Sequence, residues 1–495
     1  MHSSKRVTFA TLIVLALLLP SLSGCFGGKD APAPPPSGPF DFDEDIPVNT
    51  FYHYPGAISV FNQSALDAGN ITQNLTGNNI PIWANGTYYG IGYTTFEPTI
   101  GITSSGTIVM TNYRGSGDGT HIIRSQDQGL TWDDIGPFNP VFPIGQVPNS
   151  NDPYLYVDPW TDRIVKFDMH ALTAMFFEYS DNNGESWSVP FSAYGYYAPQ
   201  DHQSVASMPT PEGVTAFHEV IYVFCINTGS SALGPQCSRS LDGGHEWDLQ
   251  RPGYPIGTPQ CSGLHGHLAG SPDGTIMRGN PSCDGPAVYR SEDGGYSWTE
   301  HTISTTIGMQ EGWHDHEVAV AADAEGNIFA MWISDGQKPY VAYSRDKGET
   351  WSEPWMVAAP GVNETGFPTI FAGDEGRVAF GYIGEGDNLG GWSGYLGVIT
   401  DAFAEHPLIT TVAVNDPNDP LDITDDCGNV RCGGFGDFID IEIDDDGRPW
   451  IALAHNVEGG MGIVGTYITG PSLIGDVAQL PELPVGGNST LVWAS

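Results

Sequence analysis

Five times along the chain the same short pattern returns. It reads SQDQGLTW (Ser125–Trp132), SDNNGESW (Ser180–Trp187), SLDGGHEW (Ser240–Trp247), SEDGGYSW (Ser291–Trp298) and SRDKGETW (Ser344–Trp351). The copies begin 51–60 residues apart, and a near-constant period of this size marks a repeat architecture. Each copy follows an alternating strand, and its Trp opens the next one. About thirty residues upstream lies a second recurring element, a strand and then a Gly turn, as in EPTIGITSSGTIVM and HEVAVAADAEGNIFAMW.

That second element gives seven repeat starts, at Glu97, Asp152, Asp201, His265, His316, Phe367 and Phe438. Each repeat reads as four short strands, A to D, with one turn in A–B and the octet in C–D. No long helical pattern intervenes, so the chain is all-β, and four strands at this period fit a propeller blade. The expectation is a β-propeller of seven four-stranded antiparallel blades, with six as the alternative. The last blade lacks a strand, which Ala57–Phe61 or Ser489–Ala494 would supply.

The octet has a physical reading. Its central Gly gives the positive φ of a tight turn, and Asp127, Asn182, Asp242, Asp293 or Asp346 accepts N–H and hydroxyl hydrogens inside it. The Trp anchors the hairpin between sheets. S-x-D-x-G-x-[ST]-W resembles the Asp-box, or BNR, motif of sialidase-like propellers, clearly over Glu97–Trp351 and by pattern to about Gly470. The resemblance implies that the boxes lie opposite the binding face, as fasteners. It also implies, for a sialidase, three converging arginines, the first in an RIP stretch, with a Tyr/Glu nucleophile pair and an acid Asp. No RIP occurs here. Arg124, Arg239, Arg290, Arg345, Arg377 and Arg448 fall toward the box face, and Arg114 and Arg278 are the two candidates near the mouth. Sialidase activity is not expected.

The chain opens on Lys5, Arg6 and the apolar run Val7–Leu19, a secretory signal too short to span a bilayer comfortably. The LSGC that follows resembles a lipobox, in which Cys25 is acylated; ordinary cleavage leaving a stray Cys25 is the alternative. The Pro/Gly-rich segment after it reads as a spacer. The division is therefore residues 1–24 signal peptide, 25–45 lipidated Cys and tether, 46–95 an N-terminal segment with a candidate closing strand, and 96–495 propeller. A net charge of −42 repels nucleic acid and anionic membrane surfaces, so the membrane is met through the lipid alone. Export to the cell surface and a monomer are expected. Six N-x-S/T sequons fit an outer-surface glycoprotein. Six further cysteines suggest the disulfides Cys225–Cys237, Cys427–Cys432 and, by remainder, Cys261–Cys283.

Residues opening strand A should ring the channel mouth. They include Glu97, Asp152, Asp201, His202, His265, His267, His314, Asp315, His316, Glu317 and Asp437, joined by Arg114, His121, His170 and His455 from B–C connections. Two chemistries suit this set. His265, His267, His314, His316, Asp201 and His202 have the donors for a divalent metal, zinc by imidazole or calcium by carboxylate. Asp152, Asp201, Asp315 and Glu317 are the candidates for acid–base work in a glycoside hydrolase or lyase, and Arg114, His170, His455 and Glu97 for ligand contact. The plain alternative is that these groups hydrogen-bond loops and water. A glycan or a cell-surface protein is the expected partner, and a scaffold without catalysis remains a third reading.

Overall fold

The computed structural model of the chain describes residues 86–483, apart from 114–119, 138–151, 171, 194–199, 229–233, 259–263, 265, 310–316, 360, 387–390, 405–406, 408, 416–418, 422–435, 456–460, 469 and 476–479. Twenty-eight strands form seven antiparallel sheets of four. Seven blades, not six, close the ring. Their inner A strands are Ile100–Ile102, Leu155–Val157, Gln200–Pro209, Leu268–Gly270, Val318–Ala322, Glu364–Ala372 and Asp440–Ile443, for blades 1 to 7.

The missing strand of blade 7 is Gly86–Thr94, which pairs with Met461–Tyr467 from Gly86↔Tyr467 to Gly90↔Ile463. Neither Ala57–Phe61 nor Ser489–Ala494 takes that place, and both lie outside the described residues. The closing strand thus lies within the 46–95 segment expected to hold one. This strand alternates in burial, with Tyr89 buried against Trp450 at 6.2 Å between ring centroids. One sheet thus joins a strand from before blade 1 to the three strands of blade 7, which ties the first blade to the last.

Each octet folds as its chemistry dictates. In the first, Ser125 Oγ donates to Asp127 Oδ1 at 2.9 Å and accepts the Gly129 N–H at 2.9 Å. Thr131 gives Asp127 its N–H at 2.8 Å and its hydroxyl at 2.6 Å, and Trp132 Nε1 donates to Gly129 O at 3.0 Å. Asn182 fills the same role through its amide oxygen. The turn also grips the preceding blade. A Cβ on Gly244 would stand 2.2 Å from the Phe177 ring of blade 2, so the backbone packs where a side chain cannot. Blade 6 has no octet, and Phe403 in its rewritten turn packs instead on Phe329 and Tyr343 of blade 5.

Arginines complete this fastening. Arg163 donates to Gly243 O, Arg124 to Asn183 O, Arg239 to Asp293 O and Arg290 to Lys347 O, each reaching the octet of the next blade. Bidentate donors are thus committed to main-chain carbonyls on the octet face. Cys225 and Cys237 are bonded across strands B and C of blade 3. Cys283 is disulfide-bonded as well. Cys261, Cys427 and Cys432 lie outside the described residues, as does Cys25.

Candidate functional site

Inner strands are sheet edges, so their outward N–H groups need partners from elsewhere. Neighbouring blades supply them as side chains. The Ile100 N–H donates to Asp440 Oδ2 at 3.0 Å, that of Leu155 to Thr99 Oγ1 at 2.9 Å, and that of Leu268 to Ser204 Oγ at 2.8 Å. These links join blade 7 to 1, 1 to 2 and 3 to 4 at the strand starts.

Three residues at these starts hold a left-handed backbone: Glu97 at φ 47°, His202 at 57° and Phe367 at 54°. In blades 3 and 6 the ladder is broken there, between Asp201 and Ser204 and between Gly366 and Thr369. Non-Gly residues with this φ are ordinary in turns, but at a strand entry each costs about 1–3 kcal/mol and clusters at functional sites. The break turns His202 inward, fully buried, with Nε2 2.6 Å from Glu317 Oε1 of blade 5. His267 of blade 4 lies 3.3 Å by Nδ1 from Asp440 Oδ1 of blade 7. Phe438 stands edge-on between the two imidazoles, 5.2 Å from His202 and 4.6 Å from His267, and Tyr154 packs on His267 at 5.2 Å.

The two histidines are driven apart electrostatically. Burial, with repulsion from His267, pushes His202 down to about 4 against the pull of Asp437 and Asp201, so it is neutral at pH 7. Burial also works against charge on His267, but Asp440 and then Glu317 outweigh it and raise that pKa.

The other residues read for the mouth divide as follows. Asp152 is buried, and its carbonyl accepts Gln203 Nε2 at 2.7 Å. Asp201 takes the His202 N–H at 3.1 Å. Glu97 is buried against Gly436, where a Cβ would meet its carboxyl group at 2.4 Å. His170 ends strand B of blade 2 and faces Phe176, while His455 is buried with Nε2 3.6 Å from Asp419. His121 pairs with Asp134 of the outer strand of blade 1, away from the channel. Arg114, His265, His314, Asp315 and His316 lie outside the described residues.

Arg278 is not at the mouth. It is fully buried beneath blade 3, donating to Gly253 O at 2.7 Å and stacked on Tyr289 at 4.4 Å, and burial lowers its pKa to about 10. Of the six residues read as a metal set, Asp201, His202 and His267 are described. His202 and His267 face carboxylates of different blades, and among the described residues no group of three His, Cys, Asp or Glu is placed to hold an ion. The sequence reading missed Asp440, taking Asp437 as the opening residue. The alternation D-I-E-I over Asp440–Ile443, with its two acids on one side of the strand, carried that signal.

No family model and no curated protein matches the chain. Among solved structures it is similar to a protein of unknown function from Dyadobacter fermentans, at a TM-score of 0.41 and 13% identity over 77% of this chain and 97% of that one. AofleA from Arthrobotrys oligospora gives 0.42 and 12%, over 69% and 92%. The intramolecular trans-sialidase from Ruminococcus gnavus gives 0.38 and 13%, over 75% and 94%. Likenesses at this level carry no argument about what this chain binds.

Proposed function

We propose that this is an exported, lipid-tethered propeller of the Asp-box type whose channel mouth binds a glycan, and that the glycan is neutral or amine-bearing rather than sialylated. One observation carries the reading: carboxylates and imidazoles converge at a strained rim, and among the described residues no Lys or Arg joins them. Acceptors of this kind suit sugar hydroxyls and ammonium groups. A sugar carboxylate would enter a site without a guanidinium clamp and inside a strongly acidic protein. Binding of the full chain to arrays of neutral, amino and sialylated oligosaccharides tests it. Loss of neutral-glycan binding in Asp440→Asn and Glu317→Gln supports the reading, and preference for sialylated glycans overturns it.

A divalent ion belongs to the proposal as a bridge to sugar hydroxyls, zinc through imidazole or calcium through carboxylate. Dialysis against a chelator should then abolish glycan binding, with zinc or calcium restoring it; unchanged binding removes the ion. A second reading, a hydrolase or lyase, is favoured by the opposed histidines, because acid and base partners are recognised by pKa values pushed apart. Release of reducing ends from a bound polysaccharide, lost in His202→Gln and His267→Gln, is its test.

A further inference from the structure

Below the mouth the inner strands enclose an axial channel of about 350 Å3. Much of its wall is aliphatic, including Ile100, Ala269, Ala321, Ile370 and Ile441. Toward blade 3 the wall is aromatic. Tyr154 and Tyr156 line it there while their hydroxyls bond Ser204 and Ser207 of blade 3, each at 2.9 Å.

Five carboxylates touch the channel, against one imidazole and no Lys or Arg among the described lining residues. Four of them are engaged elsewhere. Glu317 meets His202, Asp440 takes the Ile100 N–H, Asp323 takes the Gly376 N–H and Asp374 takes the Gly475 N–H. Glu442 is different. It lies two residues deeper than Asp440 on the same side of the strand, and its carboxylate accepts the Ile443 N–H at 3.1 Å. Its charge reaches the Tyr156 phenol, which burial and Asp158 already hold well above its usual pKa. A carboxyl group facing an aliphatic and aromatic void, without a basic side chain, is the complement of an organic cation.

We propose that the axial channel binds an organic ammonium ion, an amine on a short unbranched aliphatic body, with its charged head at Glu442 and its chain along the Ile and Ala wall. The site is separate from the glycan reading and does not depend on it. Burial holds Glu442 above the usual carboxylate range, and an ammonium head beside it favours the ionised form, so at pH values where the acid is protonated binding releases its proton to solvent as the ion pair forms.

Calorimetric titration of the full chain with n-hexylammonium, hexan-1-ol and hexanoate tests this. The ammonium should bind at least about tenfold tighter than the alcohol, with hexanoate weakest. Its heat should vary with the ionisation enthalpy of the buffer, reporting proton release. Glu442→Gln should bring the ammonium down to the alcohol's affinity and end proton release, and Ala269→Phe, which fills the void, should remove both ligands. Equal affinity for ammonium and alcohol, or an unaltered preference in Glu442→Gln, overturns the proposal. The three-ligand comparison on the unaltered chain decides it even where a variant does not fold. Glycan binding measured on Glu442→Gln should be unchanged, which keeps the two proposals separable.

Discussion

Replacing Asp293 by Ala separates fastening from function in the octet. The carboxylate accepts four hydrogens in one turn: Ser291 Oγ at 2.8 Å, the Tyr296 and Ser297 N–H groups at 3.1 and 2.9 Å, and Ser297 Oγ at 2.6 Å. Hydrogen bonds to a charged acceptor contribute about 1.5–3 kcal/mol each, but this turn is partly exposed and water replaces much of that, so the net loss is about 2 kcal/mol. For a domain of this size that lowers Tm by roughly 2–4 °C. Asp293→Asn should keep most of the stability, because Asn182 already serves in the second copy. Burial raises the Asp293 pKa, yet the turn's hydrogen bonds outweigh it and hold it below the usual 3.8. A depressed folded-state pKa gives stability that is present above 3.8 and lost as pH falls through the lowered value. The gap between Asp293→Ala and the unaltered chain should therefore close on acidification. Scanning calorimetry across pH, with glycan binding measured in parallel, is the assay. An unchanged Tm, or lost binding at an unchanged Tm, would refute the fastener account.

Other perturbations follow from the fold. Lys166→Met leaves the Asp168 and Glu178 carboxylates buried without the ammonium that lies 2.7 and 3.2 Å from them; it should cost about 3–5 kcal/mol, read from denaturant midpoints, and little change would mean the cluster is hydrated. Cys225→Ser with Cys237→Ser, which opens a loop of 12 residues, should cost about 3 kcal/mol, and reduction of the unaltered chain should reproduce part of that loss. Tyr89→Ala in the closing strand removes a buried aromatic from its contact with Trp450 and should cost about 3 kcal/mol and speed proteolysis near residue 86; a native digestion pattern would mean the ring closes without it.

Most of the ring was legible because its signals are local. Each octet carries its own turn, acceptor and anchor, and seven strand–turn elements mark seven inner strands. What escaped depends on pairing across the chain or on parity within a strand. GTYYGIGYT at Gly86–Thr94 alternates as any strand does, but nothing local says that Tyr467 is opposite Gly86. Arg278 was read toward the mouth from its place near a strand end. The register Arg278↔Tyr289 lies inside the B–C ladder, and the side chain is buried against Gly253 of blade 3. Of the histidines expected to bite an ion, only His202 and His267 are described, and they meet across Phe438. Their pairings have no local signal, because His202–Glu317 and His267–Asp440 each join strands of different blades.

The central claim is that an acid-lined mouth, with no Lys or Arg among its described residues, selects neutral or amino sugars. The most direct measurement is an oligosaccharide array probed with the full chain beside Asp440→Asn. The account predicts binding to neutral or amine-bearing glycans, at least tenfold weaker in the variant, since a buried charge-assisted bond is worth about 1.5–3 kcal/mol. Preferential capture of sialylated glycans, or neutral-glycan binding that the variant leaves intact, would contradict it.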